Sequence, residues 1–192
     1  MYISISVLKA YLGISATGDD TLLSTLAAAA QRIVEQHTRR VFEYGTATAK
    51  AHDAVADTDS RRRTLFLCDD LCSITSVVNG DGETVTAAQY VTEPRHETPY
   101  YALTLLSSAN VTWTYVTDPE GAIVVTGKWA YAVTVPADIV QATTRLAAYL
   151  YRQKDNAADL DRAIVAGNAT ILPATLPADV VRLLEPYRRL VG

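Results

Sequence analysis

Cysteine is scarce. Two residues in 192 exclude a scaffold stapled by disulfides. No uninterrupted apolar run approaches the ~18 residues that a membrane-crossing helix needs. Met1 to Ser6 lacks the basic stretch and apolar core of a secretory signal, so the sequons at Asn110-Val111-Thr112 and Asn168-Ala169-Thr170 predict no glycosylation. Basic charge is short as well: 17 Lys and Arg against 21 Asp and Glu leave a net of −4, which argues against a generally basic nucleic-acid binder. Catalytic signatures are missing. There is no Gly-x-Ser-x-Gly, no phosphate-binding loop ending in Lys-Ser/Thr and no His-Glu-x-x-His. Asn79-Gly80-Asp81-Gly82-Glu83 begins like a calcium loop but lacks the later glycine and glutamate that such a loop requires.

What is present reads as an ordinary globular chain. Hydrophobic residues make up 49%, charged residues 20%, and the mean hydropathy is +0.07, a composition that excludes wholesale disorder. The length suits one domain, or one with a sizeable insert. Charge divides the chain in three. Residues 1–45 are balanced, residues 46–135 carry six basic and eleven acidic side chains, and residues 136–192 carry seven basic and six acidic ones.

Periodicity divides it the same way: a helical segment over 1–45, a β-rich insert over 46–134 and a second helical segment over 135–192. Ser4 or Ser6 is placed to cap a short helix through Val7, Leu8 and Tyr11 that Gly13 ends. Asp20 is a natural N-cap for a longer helix, in which Leu22, Leu23, Leu26, Ala30, Ile33, Val34 and His37 form one broad stripe. Arg39 and Arg40 suit its last turn. In the middle, Arg61 to Leu67 reads as a strand start, Ile74 to Val78 as a strand running into an Asn79-Gly80-Asp81-Gly82 hairpin, and Tyr100 to Leu106, Val111 to Val116 and Ile123 to Thr126 as further strands. Gly45 to Ser60 suits a strand plus a loop. Five to seven short strands make a small antiparallel sheet or sandwich. Pro136-Ala137-Asp138 starts another helix, striped by Ile139, Thr143, Leu146, Ala147 and Leu150. A shorter helix is expected from Ala157 to Val165, closed by Gly167. Pro177-Ala178-Asp179 repeats the start signal for a last helix, interrupted at Pro186.

The chemistry-bearing residues read quietly. Cys68 and Cys72 flank Asp69-Asp70-Leu71. A zinc site there needs two further ligands, and His37, His52 and His96 stand singly, so both cysteines are expected as small apolar residues, buried or half-buried. His37 reads as a core or interface histidine. Arg61-Arg62-Arg63 suits either a phosphate contact or a charged sheet edge that resists pairing. No metal or cofactor is expected.

One resemblance spans both helical ends. Leu8-Lys9-Ala10-Tyr11-Leu12-Gly13-Ile14, the break at Asp19-Asp20 and a long Ala-rich helix closing on Thr38-Arg39-Arg40-Val41-Phe42 resemble the start of tailed-phage head–tail connector proteins. Val135-Pro136-Ala137-Asp138-Ile139-Val140-Gln141-Ala142, leading into Leu146 to Tyr151, resembles that family too. So does the closing Leu183-Leu184-Glu185-Pro186-Tyr187-Arg188-Arg189. The strand-rich middle is similar to the longer members, among them adaptors of phage-like gene transfer particles. The resemblance implies an α+β fold, with a helical bundle from the two ends and an inserted antiparallel β-sheet or sandwich. It implies a structural virion protein in the neck between capsid and tail, made in the cytoplasm of a bacterial host. Such proteins form a ring of about 12 copies under the portal, a closed cyclic assembly, which extends the DNA channel and presents a platform to the next tail component. No catalysis, cofactor or membrane is implied. The apolar and basic closing segment then becomes the expected portal contact, through Leu184, Tyr187, Arg188, Arg189 and Leu190; equally, it caps its own core. The acidic middle fits a conduit that phosphates do not stick to. A small cytosolic α+β enzyme, or a DNA-binding accessory domain using Arg61 to Arg63, is the competing reading.

Overall fold

The computed structural model describes residues 1–153, the backbone of 165–166 and 169–170, and residues 176–189. Two compact units emerge. Met1–Arg40 and Val135–Gly192 form one, and Val41–Thr134 forms the other. The helix expected over 157–165 lies outside the described residues except at Val165, which belongs to a two-residue strand.

Among the described residues the first unit holds four α-helices: α1 (Ile5–Leu12), α2 (Asp20–Thr38), α3 (Ala137–Gln153) and α4 (Ala178–Leu184). The Ser4 hydroxyl accepts the Val7 N–H at 3.3 Å, and Gly13, at φ 73°, ends α1; the glycine takes this left-handed conformation without a Cβ clash. At the start of α2 the expected cap shifts by one. Asp19 holds the N-cap position and Asp20 is the first helical residue. The Asp19 carboxylate does not cap, because it accepts the Tyr151 hydroxyl. Lys9 pairs with Asp20 at 2.7 Å.

The buried face of α2 is Leu23, Ala27, Ala30, Val34 and Thr38. This is a rotation of the expected stripe: Leu22 is exposed, and Leu26, Ile33 and His37 are half-buried. Small residues win the inner face because α2 lies against α3, whose own buried face includes Ala142, Ala147 and Ala148. α3 is the central element, in contact with α1, α2 and α4. All five residues of its expected stripe are buried. Thr144 is buried too, and the hydroxyls of Thr143 and Thr144 donate to the carbonyls of Ile139 and Val140 at 2.7 and 2.8 Å, so neither is left unsatisfied. Past α4, a 3-10 turn over Glu185–Tyr187 carries Pro186.

The second unit contains β1 (Thr48–His52), β2 (Thr64–Leu71), β3 (Ser73–Val78), β4 (Tyr90–Glu93), β5 (Tyr100–Leu105) and β6 (Ile123–Lys128). They form two antiparallel three-stranded sheets, ordered β1-β6-β3 and β2-β5-β4. A further pair, β7 (Val165–Ala166) and β8 (Ala169–Thr170), belongs to the first unit. Leu65, Leu67 and Leu71 of β2, Leu103 and Leu105 of β5, Val77 of β3, and Ile123 and Val125 of β6 share one core with Trp113. Burial of such aliphatic and aromatic surface is what holds a small two-layer unit together.

Only Cys72 separates β2 from β3, so the chain turns a corner there and changes sheets. The Cys72 N–H and thiol both donate to the Lys128 carbonyl, at 2.9 and 3.3 Å. The corner crowds β6: a Cβ on Gly127 would sit 2.3 Å from the Ser73 carbonyl oxygen and 2.7 Å from Leu71 Cδ1.

Two expected strands fall differently. Val111–Val116 is no strand, apart from a single bridge between Tyr115 and Gly80. Its polar backbone is satisfied one group at a time. Buried Asn79 donates to the Thr112 carbonyl at 3.0 Å and accepts the Thr114 N–H at 3.1 Å, while the Trp113 N–H donates to the Arg62 carbonyl at 2.9 Å. Arg61–Arg63 forms the turn before β2, with Arg62 at φ 51°, rather than the strand itself. The Asp59 carboxylate accepts the N–H groups of Arg63 and Thr64 at 2.6 and 2.9 Å, which pulls its pKa below the ordinary value. Gly45–Ser60 does resolve into β1 and a loop, and β4 arises where no alternation marked it.

Substituting Gly127→Ala should destabilise the β unit by about 1–3 kcal/mol, read as a lower urea midpoint. An unchanged midpoint would mean that the corner relaxes freely.

Candidate functional site

The closing segment is the first candidate, and its residues separate. Leu184 is fully buried inside the helical unit, so it holds α4 in place; as a docking contact it is corrected to a core residue. The Tyr187 carbonyl accepts Arg40 Nε at 2.9 Å, and its hydroxyl meets the Asp138 carboxylate at 3.2 Å. The Arg189 N–H donates to the Thr38 carbonyl at 2.9 Å, satisfying one of the carbonyls that the end of α2 leaves open. Half-buried Tyr187 and Arg189 are thereby fixed at the C-terminal end of α2. Exposed Arg188 reaches Glu185 loosely, at 3.8 Å. Leu190 lies outside the described residues. The segment thus caps its own unit and still shows Arg188 to solvent.

A second candidate is the outer face of α2. Because the small residues turned inward, Leu22, Leu26, Ala29 and Ile33 line the outside at helical spacing. Leu26, Ala28, Ala29, Arg32, Ile33 and Gln36 border an open groove of about 640 Å³. The signal was present as an Ala-rich helix with more apolar residues than one face needs.

The β unit gathers charge at one end. β6 begins at Ile123, which pairs with His52 at the end of β1, and Val124 pairs with Val78 at the end of β3. The loops 53–59, 79–83 and 117–122 therefore leave one end of that sheet, where the Ala54 N–H donates to the Pro119 carbonyl at 2.9 Å; they carry Asp53, Asp57, Asp59, Asp81, Glu83, Asp118 and Glu120, an acidic rim at that end. Of the basic turn nearby, Arg62 lies over the Tyr115 ring at 5.3 Å and Arg63 donates to the Leu105 carbonyl at 2.6 Å. Two of the three arginines are engaged within their own unit, against the reading of Arg61–Arg63 as a phosphate clamp.

The same end holds an arrangement that the sequence did not reveal. One ligand atom each from His52, Asp57 and Cys68 lies within 4.8 Å of the other two. His52 is buried, with Nδ1 3.8 Å from Asp57 Oδ2. Burial, its largest influence, pushes the His52 pKa below 6.5, favouring the neutral ring. Neither cysteine forms a disulfide. Cys72 is buried, and burial raises its thiol pKa; Cys68 is exposed, contrary to its expected burial. His52, Asp57 and Cys68 match no metal-ligand spacing, so only the pairing of strands could have found them. His37 has Nε2 buried without a hydrogen-bond partner among the described residues. An open cavity of about 590 Å³, lined by Ser73, Tyr90, Arg95, His96 and Tyr100 among others, is the β unit's one candidate for a small-molecule pocket among the cavities described. No described helix is long and apolar enough to cross a membrane.

The profile of the family described as head completion protein matches residues 1–190. Two solved structures are similar over the whole chain. One is a protein from the neck of an empty gene transfer agent (GTA) particle, computed with C6 symmetry, at 19% identity and TM-score 0.59; the other comes from the virion of a native GTA particle, at 18% identity and TM-score 0.60. Each match covers 100% of this chain and 92% of the other, and each shows the fold, helical ends and β insert together. Among curated proteins no sequence relative matches.

The docking of α4 rests partly on a charge pair. Arg145 donates to the Asp179 carboxylate at 2.6 Å, and this hydrogen bond, first among its influences, holds the Asp179 pKa below 3.8. A depressed carboxylate pKa contributes stability that is complete above the unfolded value and lost as pH falls through the folded one. NMR titration should therefore give Asp179 a midpoint below 3.8, and Asp179→Asn should flatten the acid limb of the helical unit's stability. The effect is small, because the pair is exposed. A midpoint at or above the ordinary value would contradict the pairing.

Proposed function

The chain belongs to the head completion protein family, and from that premise we propose that it is a structural head–tail connector of a tailed phage or phage-like particle. It works in the neck as one copy of a ring under the portal, extends the DNA channel and offers the tail a platform. It catalyses no reaction. The observation that carries this is the whole-chain match, in sequence profile to a family and in fold to proteins from the neck and the virion of GTA particles.

Three features support the finer reading. The outward apolar face of α2 gives each copy a strip to lay against its neighbour, and a closed ring of identical subunits needs one such heterologous contact repeated. Exposed Arg188, held at the end of a fixed helical unit with Tyr187 and Arg189 beside it, suits a docking contact to acidic groups on the portal; arginine and tyrosine are favoured anchors in such interfaces. Leu190 stands next in line and joins this proposal, whereas Leu184 serves it only by holding α4. The acidic rim of the β unit suits the wall of a conduit, since carboxylates repel the phosphates that must pass.

The test is co-sedimentation with the portal ring from the same genome. The chain should travel with the portal as a multimer. Arg188→Ala combined with Arg189→Ala should weaken that binding roughly fivefold or more, a hot-spot-sized loss. Ile33→Glu, at a half-buried position, should leave the monomer folded by circular dichroism and abolish the multimer. A chain that stays monomeric beside the portal at every concentration would overturn the reading.

A further inference from the structure

A buried histidine normally satisfies its ring nitrogens, because leaving them dry costs the water they lost. His52 does not. Its side chain is only 2% exposed, and neither Nδ1 nor Nε2 has a hydrogen-bond partner among the described residues. Close to it lie the other two members of the cluster, the Asp57 carboxylate and the Cys68 sulfur, with all three ligand atoms within 4.8 Å of one another. We infer that His52, Asp57 and Cys68 form a zinc-binding site that joins the two sheets of the β unit.

The donor set selects the metal. One imidazole, one thiolate and one carboxylate suit zinc, a borderline-soft ion, better than magnesium or calcium, which take oxygen ligands. Tetrahedral zinc, with bonds of about 2.0–2.3 Å, spaces its ligand atoms roughly 3.3–3.7 Å apart. The His52–Asp57 separation of 3.8 Å is already close to that, so binding asks for a short contraction of side chains rather than a new backbone. Asp57 Oδ2 also accepts the Asp53 N–H at 2.8 Å, an outer-sphere hydrogen bond of the kind that orients ligating carboxylates. Cys68 and Asp57 lie toward the surface, which leaves the fourth position to water. Lys50, whose charge acts on His52, is paired with Asp69 at 2.5 Å, and the surrounding carboxylate rim draws divalent ions in.

The place in the fold gives the ion its work. His52 ends β1, an edge strand of one sheet, and Cys68 lies in β2, an edge strand of the other. Asp57 sits in the loop between them, whose backbone already reaches β2: the Asp57 carbonyl accepts the Phe66 N–H at 2.7 Å, and Thr58 bridges Leu65. An ion held by these three residues ties one edge to the other and stabilises the folded unit by binding it alone.

The full chain, stripped with a chelator and then titrated with Zn²⁺ alone, should take up one ion and melt at a higher temperature. Co²⁺ alone should give a tetrahedral visible spectrum with a thiolate-to-cobalt charge-transfer band. Cys68→Ser, at an exposed position that folding tolerates, should abolish that band, cancel the thermal shift and weaken Zn²⁺ binding by at least ~100-fold, beyond the loss seen for outer ligands. Cys72→Ala should keep both. Absence of stoichiometric uptake, a cobalt spectrum without the thiolate band, or a band that survives Cys68→Ser and disappears with Cys72→Ala would each overturn the site.

Discussion

The helical unit is built from the two ends of the chain, so α2 must find α3 across the whole of Val41–Thr134. That closure is the constraint on which the remaining structure depends. It is affordable entropically because the cost of closing a loop grows only slowly with length, and because the inserted segment folds into a unit of its own whose ends are clipped together. The Tyr131 N–H donates to the Val41 carbonyl at 2.8 Å, and the Phe42 and Tyr131 rings meet at 5.4 Å between centroids. With the stem closed, the small-residue faces of α2 and α3 are free to approach closely, and α1 and α4 complete the bundle around α3. The closing segment then returns to α2, where Arg189 and Tyr187 bond its C-terminal end.

How far this was legible follows from the range of the forces involved. The caps at Ser4 and Gly13, the stripe of α3 and the Pro-Ala-Asp starts are local signals, and they fall where the residues put them. The face of α2 was not readable, since leucines and alanines both count as apolar and only the approach of α3 decides that Ala27 turns inward and Leu22 outward. Val111–Val116 has strand composition, but Asn79, Arg62 and Arg63 claim its polar groups before a neighbouring strand does. β4 exists because β5 offers it an edge. The family was readable from the order of weak motifs at both ends, since order survives where single motifs carry little.

The same distinction explains the candidate sites. Arg188 is exposed because the segment before it is spent: Leu184 lies in the core and Tyr187 against α2 and Asp138. The sequence shows an apolar, basic tail but not which of its residues the fold consumes. His52, Asp57 and Cys68 are unremarkable in line and meet only because two edge strands of different sheets run past each other. Acidic residues spread over the middle third become one rim because β1 and β3 end where β6 begins. The outward apolar strip of α2 and the acidic rim, on which the proposed connector role draws, both arise from the turning of particular side chains.

As proposed, this chain is a repeating structural part of a neck, with α2 against its neighbours and the acidic rim toward the DNA. An electron-microscopy reconstruction of the neck from particles that contain this chain measures it directly. The expected result is a closed ring of copies on the particle axis, adjoining the portal, with Leu26, Ala29 and Ile33 covered by the adjacent copy and Asp81, Glu83, Asp118 and Glu120 facing the lumen. A chain absent from the axis, or a ring whose acidic rim lies on the outer wall with α2 bare, would contradict it.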